Sequence, residues 1–322
     1  MTLSPLSAPH TGRQNTWTGI GCGIAAGALW GLVFLAPELA HGFTPLQLAV
    51  GRFLAYGLFA LALAWPRRHR LAAQLGRREG LVLLRLALLG NTVYYVLLAS
   101  AVQWGGIAMT SLVIGFLPVA VTAIGSREPG AVPLRRLVPS LLFGLVGVAC
   151  AAWPALSGDA PTSLAGLLCA IGALASWTAF AVGNARALAR LPQVSVQDWN
   201  IATGVVTGAQ ALVLLPFALA FGVQAHAPGD WLRLAGVAIG IALAASIVGN
   251  ALWNRMSRLL PLTLVGQMIL FETLFALLYG FLWEQRGPSP AEWLAMGCVL
   301  ASVLSCVQAH RPAAPAAAAV PG

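Results

Sequence analysis

Residues 261–283 read PLTLVGQMILFETLFALLYGFLW. A helix needs about 20 apolar residues to cross a bilayer; this stretch supplies them and carries one ionisable group, Glu272, near its middle. Working outward, segments of the same kind recur at 17–36, 44–65, 80–101, 106–125, 137–156, 164–184, 199–221, 232–253 and 291–309. The chain of 322 residues is 59% hydrophobic and 8% charged, against about 25% charged in a soluble domain. A cytosolic or secreted globular protein is thereby excluded. The expected class is an all-α integral membrane protein with ten transmembrane helices. Pro66 to Glu79 is the longest connection, too short for a soluble domain, so function must lie within the bundle.

All 18 basic residues are arginine. Without lysine there is no P-loop lysine and no lysine Schiff base. With the N-terminus inside, every arginine except Arg52, Arg233 and Arg286 falls in an inner loop or at an inner helix end. The positive-inside rule then puts both termini in the cytoplasm. The net charge of +9 reads as a topology signal facing anionic lipid, with no nucleic-acid partner. Trp17, Trp65, Trp104, Trp153, Trp199, Trp231, Trp283 and Trp293 mark span ends, where indoles favour the interface. Trp30 and Trp177 are mid-span. The first span is long enough to stay in the membrane, unlike a cleaved signal peptide.

Gly19, Gly23, Gly27 and Gly31 form one stripe on the first span, and Gly236, Gly240 and Ala244 another on the eighth. Both are expected to be close helix contacts. The halves resemble each other at an offset of 155, which lays Tyr95 on Asn250 and Pro118 on Thr273; Glu128 and Glu284 follow at similar points. Five spans per half is odd, so the second copy enters the membrane upside down, a common secondary-transporter plan. The organisation reads as an N-tail (1–16), a first repeat (17–156), a periplasmic connector (157–163), an inverted second repeat (164–309) and a disordered cytoplasmic C-tail (310–322).

Ala28-Leu29-Trp30-Gly31 with Phe34, Arg52-Phe53, Leu117-Pro118-Val119 ending in Glu128, and Phe271 to Phe275 ending in Glu284 come in an order that resembles the EamA-type members of the drug/metabolite transporter superfamily. The resemblance covers nearly the whole chain. It implies ten helices in two inverted repeats and export of amino acids, nucleosides or other small metabolites. Trp253-Asn254 and the aromatic content look somewhat like the aromatic amino-acid exporter branch. The family usually has proline where this chain has Thr273, which removes the residue that would break the helix there.

Glu272 heads the candidate substrate-binding residues, because a carboxylate at that depth costs roughly 2.5–3.5 kcal/mol and should face a cavity or partner. It reads as a substrate-amine contact or a proton-coupling site, against a structural carboxylate bonded across helices. Arg52 is its counterpart: a carboxylate clamp, or a framework cation fixing the fold. Asn91, Asn250, Asn254 and Gln267 supply amides that read both amino and carboxyl groups, or glue helices together. Trp30, Phe34, Tyr94, Tyr95, Trp177 and Trp253 offer aromatic walls for a flat or cationic substrate. Pro118 is expected to bend its helix.

No HExxH, GxSxG or paired Cys/His constellation appears, so neither metal nor cofactor nor catalytic residue is expected. His10, His41, His69, His226 and His310 are read as solvated, and the five cysteines as small apolar residues. The reading is a secondary transporter, an exporter, in a bacterial-type inner membrane. It moves a small amphiphilic metabolite, with amino acids the best single guess, by alternating access around a midplane cavity. Its partners are that substrate and the lipid bilayer; proton coupling and a homo-oligomer are both compatible with it. The rivals are a membrane-embedded enzyme acting on a lipid-like substrate, which would need more acids or histidines at one interface, and a non-transporting scaffold.

Overall fold

The computed structural model describes residues 10–156, 163–222, 226–285 and 287–310. Most of the expected N-tail, the connector at 157–162 and the C-tail from 311 lie outside the described residues. The described chain is helical throughout: α1 (His10–Gly31), α2 (Ala36–Leu39), α3 (Pro45–Ala64), α4 (Arg68–Gln74), α5 (Arg77–Ala87), α6 (Val93–Ile114), α7 (Leu117–Gly125), α8 (Leu134–Leu156), α9 (Leu164–Arg190), α10 (Val196–Ala220), α11 (Pro228–Ile241), α12 (Asn250–Leu259), α13 (Leu262–Met268), α14 (Leu270–Glu284) and α15 (Pro290–Ala309). Among the described residues, seven helices are long and apolar enough to cross a membrane: Leu46–Gln74, Arg77–Leu98, Leu164–Arg190, Val196–Ala220, Pro228–Leu259, Leu262–Trp283 and Pro290–Ala309. Large apolar side chains such as Leu58, Leu168, Val213, Leu232 and Leu282 point outward, as only a lipid-facing surface tolerates.

Starts are set by local chemistry. Thr44 with Gln47 and Ser289 with Glu292 form capping boxes ahead of Pro45 and Pro290, which satisfy first-turn N–H groups. Ser163 and Ser195 cap α9 and α10. The principal packing joins early helices to late ones: α3 on α10, α6 on α9, α8 on α15, α7 on α13, and α1 on α12 and α14.

Two features interrupt otherwise regular helices. A π-helical turn at Leu88–Thr92 links α5 to α6, and a longer π-helical stretch at Ala242–Gly249 links α11 to α12. They correspond under the offset of 155. Two full breaks also occur. The gap expected at 102–105 is helical instead, and the chain turns at Gly115–Phe116. Pro118 explains the place: it has no N–H for the carbonyl of Ile114, and its ring crowds that carbonyl. A second break falls at Ile269 although Thr273 replaces the family's proline; the Glu272 N–H turns back to the Ile269 carbonyl at 3.1 Å. Glu272 thus stands in the first turn of α14.

The first glycine stripe packs as expected. A side chain at Gly19 would strike Leu260, at Gly23 Met256 and Met268, at Gly27 Phe271 and at Gly31 Phe275. The second stripe is corrected: at Gly236 and Gly240 nothing lies within 4 Å, so among the described residues no helix packs closely on these glycines. The close approach in its place is between α3 and α10, where a Cβ on Gly57 would lie 2.5 Å from the Gly208 Cα.

Candidate functional site

Three tryptophans from separate helices meet inside the bundle: Trp30 of α1, Trp177 of α9 and Trp253 of α12. Ring centroids lie 4.8 Å apart for Trp30 and Trp253, 5.6 Å for Trp177 and Trp253, and 6.4 Å for Trp30 and Trp177. Tyr94 and Phe180 extend the cluster beside Trp177, at 6.4 and 5.8 Å. Trp30 is locked in place, since its indole N–H donates to the Ala245 carbonyl at 3.2 Å and to Asn250 Oδ1 at 3.1 Å. Trp253 is different. It is 2% exposed, yet among the described residues its Nε1–H has no acceptor and Thr178 Oγ1, beside Trp177, has no partner. An unsatisfied buried donor costs about 1–3 kcal/mol.

The π-helical segments build this region. A π turn releases carbonyls from the regular ladder, and such turns gather at functional sites. Leu89 O accepts from Ser176 Oγ at 2.8 Å, Ala245 O from Trp30 and Ile247 O from Asn200 Nδ2 at 2.9 Å. Arg52 joins the same wall, its Nε–H donating to Ser246 Oγ at 3.0 Å. Its guanidinium stands 5.5 Å from the Phe53 ring, which meets Tyr95 at 6.1 Å. Glu272 lies within electrostatic reach of Arg52 and Tyr94. Its carboxylate makes no ion pair among the described residues. Glu272, Arg52, Trp30, Tyr94, Tyr95, Trp177, Asn250 and Trp253 are therefore neighbours in one region.

The midplane space is tighter than expected. The gap beside Arg52 and Tyr95, walled by Val33, Ala36, Leu48, Val237, Ala238 and Ile241, measures about 10 Å³, room for about one water. The substrate-sized midplane cavity is not open at Arg52 in this conformation, because those apolar side chains fill it. A larger cavity of about 580 Å³ opens at the arginine-rich end, lined by residues of α9, α12 and α13 and by Glu128.

The other sequence candidates lie elsewhere. Asn91 donates to Thr207 Oγ1 at 3.0 Å, on the seam with α10. Asn254 accepts from Asn184 Nδ2 at 2.8 Å, and Asn184 Oδ1 accepts the Trp199 indole N–H at 2.9 Å. Gln267, fully buried, bridges Thr122 at 3.3 Å and Ser302 at 2.9 Å. The Phe34 side chain lies outside the described residues. Sequence reading missed Asn184, Asn200 and Ser246; the first two are amides inside apolar spans, the criterion already applied to the others.

Three further expectations need correction. Trp199 is not an interface residue: it is 1% exposed and bonded to Asn184. His226 stacks on Phe43 with centroids 4.0 Å apart and meets Trp231 edge-on. His310 is held by both nitrogens, Nδ1 on the Cys306 carbonyl at 2.8 Å and Nε2 on Thr263 Oγ1 at 2.6 Å. Burial pushes its pKa down, partly offset by the Cys306 carbonyl. A half-buried imidazole at a helix end takes such partners, and the sequence does not display them.

With the geometry described, comparison with known proteins adds three findings. The model of the EamA-like transporter family matches residues 17–153 and again 164–307. The inner membrane protein YtfF of Escherichia coli (strain K12) is 33% identical over 310 residues, 88% of this chain and 94% of the relative. One solved crystal structure shares the fold, with a TM-score of 0.68 at 20% identity over 90% of this chain and 98% of the other.

Proposed function

The chain belongs to the EamA-like transporter family, and from that premise we propose that it is a secondary carrier exporting a small amphiphilic metabolite, amino acids first, across a bacterial inner membrane. The observation that supports the substrate class is that Glu272 and Arg52 lie within electrostatic reach of each other beside an aromatic wall, where the Trp253 N–H has no acceptor among the described residues. A carboxylate reads a substrate amine, a guanidinium reads a carboxylate, and the indoles accept an apolar or cationic surface.

Alternating access is supported by the architecture. The principal helix contacts join the two halves, the π-helical segments correspond under the repeat offset, and the family model matches each half in turn. Ten spans in two inverted repeats, with both termini cytoplasmic, is the arrangement we adopt. Broken helices at the midplane with their N-terminal turns at the site are a carrier device, and Glu272 in the first turn of α14 fits it. Glu272 is the residue we assign to proton coupling.

The test is amino-acid flux in proteoliposomes with and without a pH gradient. Wild-type flux should respond to the gradient and Glu272→Gln should lose that response. Unchanged flux and pH response in Glu272→Gln would sink the coupling assignment, and absence of flux for any amino acid would sink the substrate class.

A further inference from the structure

We propose that the cavity at the arginine-rich end is a second ligand site, an antechamber that binds the carboxylate of a small organic acid or amino acid. Its place on the transport route rests on the carrier reading above; its chemistry does not.

The cavity of about 580 Å³ is within the size range of small-molecule sites. Three arginines, Arg186, Arg190 and Arg258, line it against one acid, Glu128. Glu128 is already paired with Arg186 at 3.1 Å. Arg258 is oriented by its Nη2, which donates to the Leu191 and Val194 carbonyls. Among the described residues, that leaves the buried Arg258 Nε–H without an acceptor and the exposed Arg190 without an ion-pair partner. Ser257 lines the same cavity, is 8% exposed, and its Oγ also lacks a partner among the described residues. Two buried donors without acceptors in one cavity, beside an unpaired guanidinium, are what a small anion would satisfy.

The connection to the tryptophan site follows from helix register. Ser257 stands four residues beyond Trp253 on α12, about 6 Å along the axis. On α9, Arg186 and Arg190 follow Trp177 in the same sense. Between the two levels Asn184 and Asn254 bond at 2.8 Å. The amide pair thus lies, along both helices, between the tryptophans and the residues that line the cavity.

The test uses full-length protein in neutral detergent and reads ligand-induced thermal stabilisation. The probes are acetate, succinate, L-leucine and L-phenylalanine, with leucinamide, inorganic phosphate and phosphatidylglycerol micelles as controls. Ser257→Ala removes a hydroxyl with no partner among the described residues, and Arg190→Gln alters an exposed side chain, so both variants should fold. The expected result is stabilisation by a carboxylate but not by leucinamide, weakened about threefold to tenfold in each variant. No carboxylate stabilising the wild type, or full stabilisation in both variants, overturns the proposal. Stabilisation by phosphate or phosphatidylglycerol alone overturns it in favour of a phosphate or lipid-headgroup site. Arg190-dependent carboxylate binding in a protein without flux keeps the site and fails the carrier reading.

Discussion

His310 shows how one residue's environment departs from its address. It follows α15 directly, where water would be expected. Instead, donation from Nδ1 to the Cys306 carbonyl leaves Nε2 to accept from Thr263, the neutral tautomer. Burial lowers its pKa from the ordinary 6.5, so the unfolded chain binds the proton more readily than the folded one. Stability is then complete above the unfolded value and declines as pH falls toward the folded one. Thermal unfolding in detergent should show a midpoint that drops on acidification below about pH 6.5. His310→Gln should flatten that slope; an unchanged slope would show that the ring does not carry it. Glu272 and Arg52 teach the converse. They stood out as candidates in the sequence because charge inside an apolar span is costly wherever it ends up. Which amides share their region was not, because Asn91, Asn254 and Gln267 satisfy distant partners that sequence spacing does not reveal.

Among the elements, small residues decide how near two helices come, and only the packing shows which small residues matter. Gly57 and Gly236 look alike in sequence, each a glycine in an apolar span. A Cβ on Gly57 would meet backbone of α10 at 2.5 Å, whereas one on Gly236 would meet nothing within 4 Å. Gly57→Val should therefore destabilise the protein by about 1–3 kcal/mol or more. Gly236→Ala should be neutral, or stabilising by up to about 1 kcal/mol from helix propensity. Equal loss of thermal stability in the two variants would contradict this assignment of the α3–α10 seam. The two helix breaks make the same distinction. Pro118 announces the first; the second, at Ile269, has no local marker and lies where α13 and α14 cross the α1 glycine stripe.

The whole molecule is organised by the side on which charge collects. Asp198, 0% exposed, is paired with Arg67 and Arg70 at 3.2 Å each. With Arg186–Glu128, these pairs join early and late parts of the chain at the arginine-rich end. They tie α10 to α4 and its flank, and α9 to the loop after α7. A buried carboxylate stripped of its partners would cost about 3–5 kcal/mol, so the pairs hold that end together. With the proposed cytoplasmic termini, a fluorescent protein fused to the C-terminus will be bright and an alkaline phosphatase fused there inactive. The opposite pattern would reverse the orientation, and with it the direction in which the antechamber opens.

Composition and apolar run length determined the solvent: a chain this poor in charge cannot clothe itself in water, so membrane residence, helical class and the few costly intramembrane charges could be read from residue order alone. The first glycine stripe and the Pro118 break could be read too, because each acts through its own helix. Tertiary structure alone decided the meeting of the three tryptophans, the unsatisfied Trp253 and Ser257, the π-helical carbonyls and the cavity at the arginine-rich end. Those depend on which helix faces which. Lipid hides every apolar face equally well, so hydrophobic pattern carries little information about partners inside a membrane.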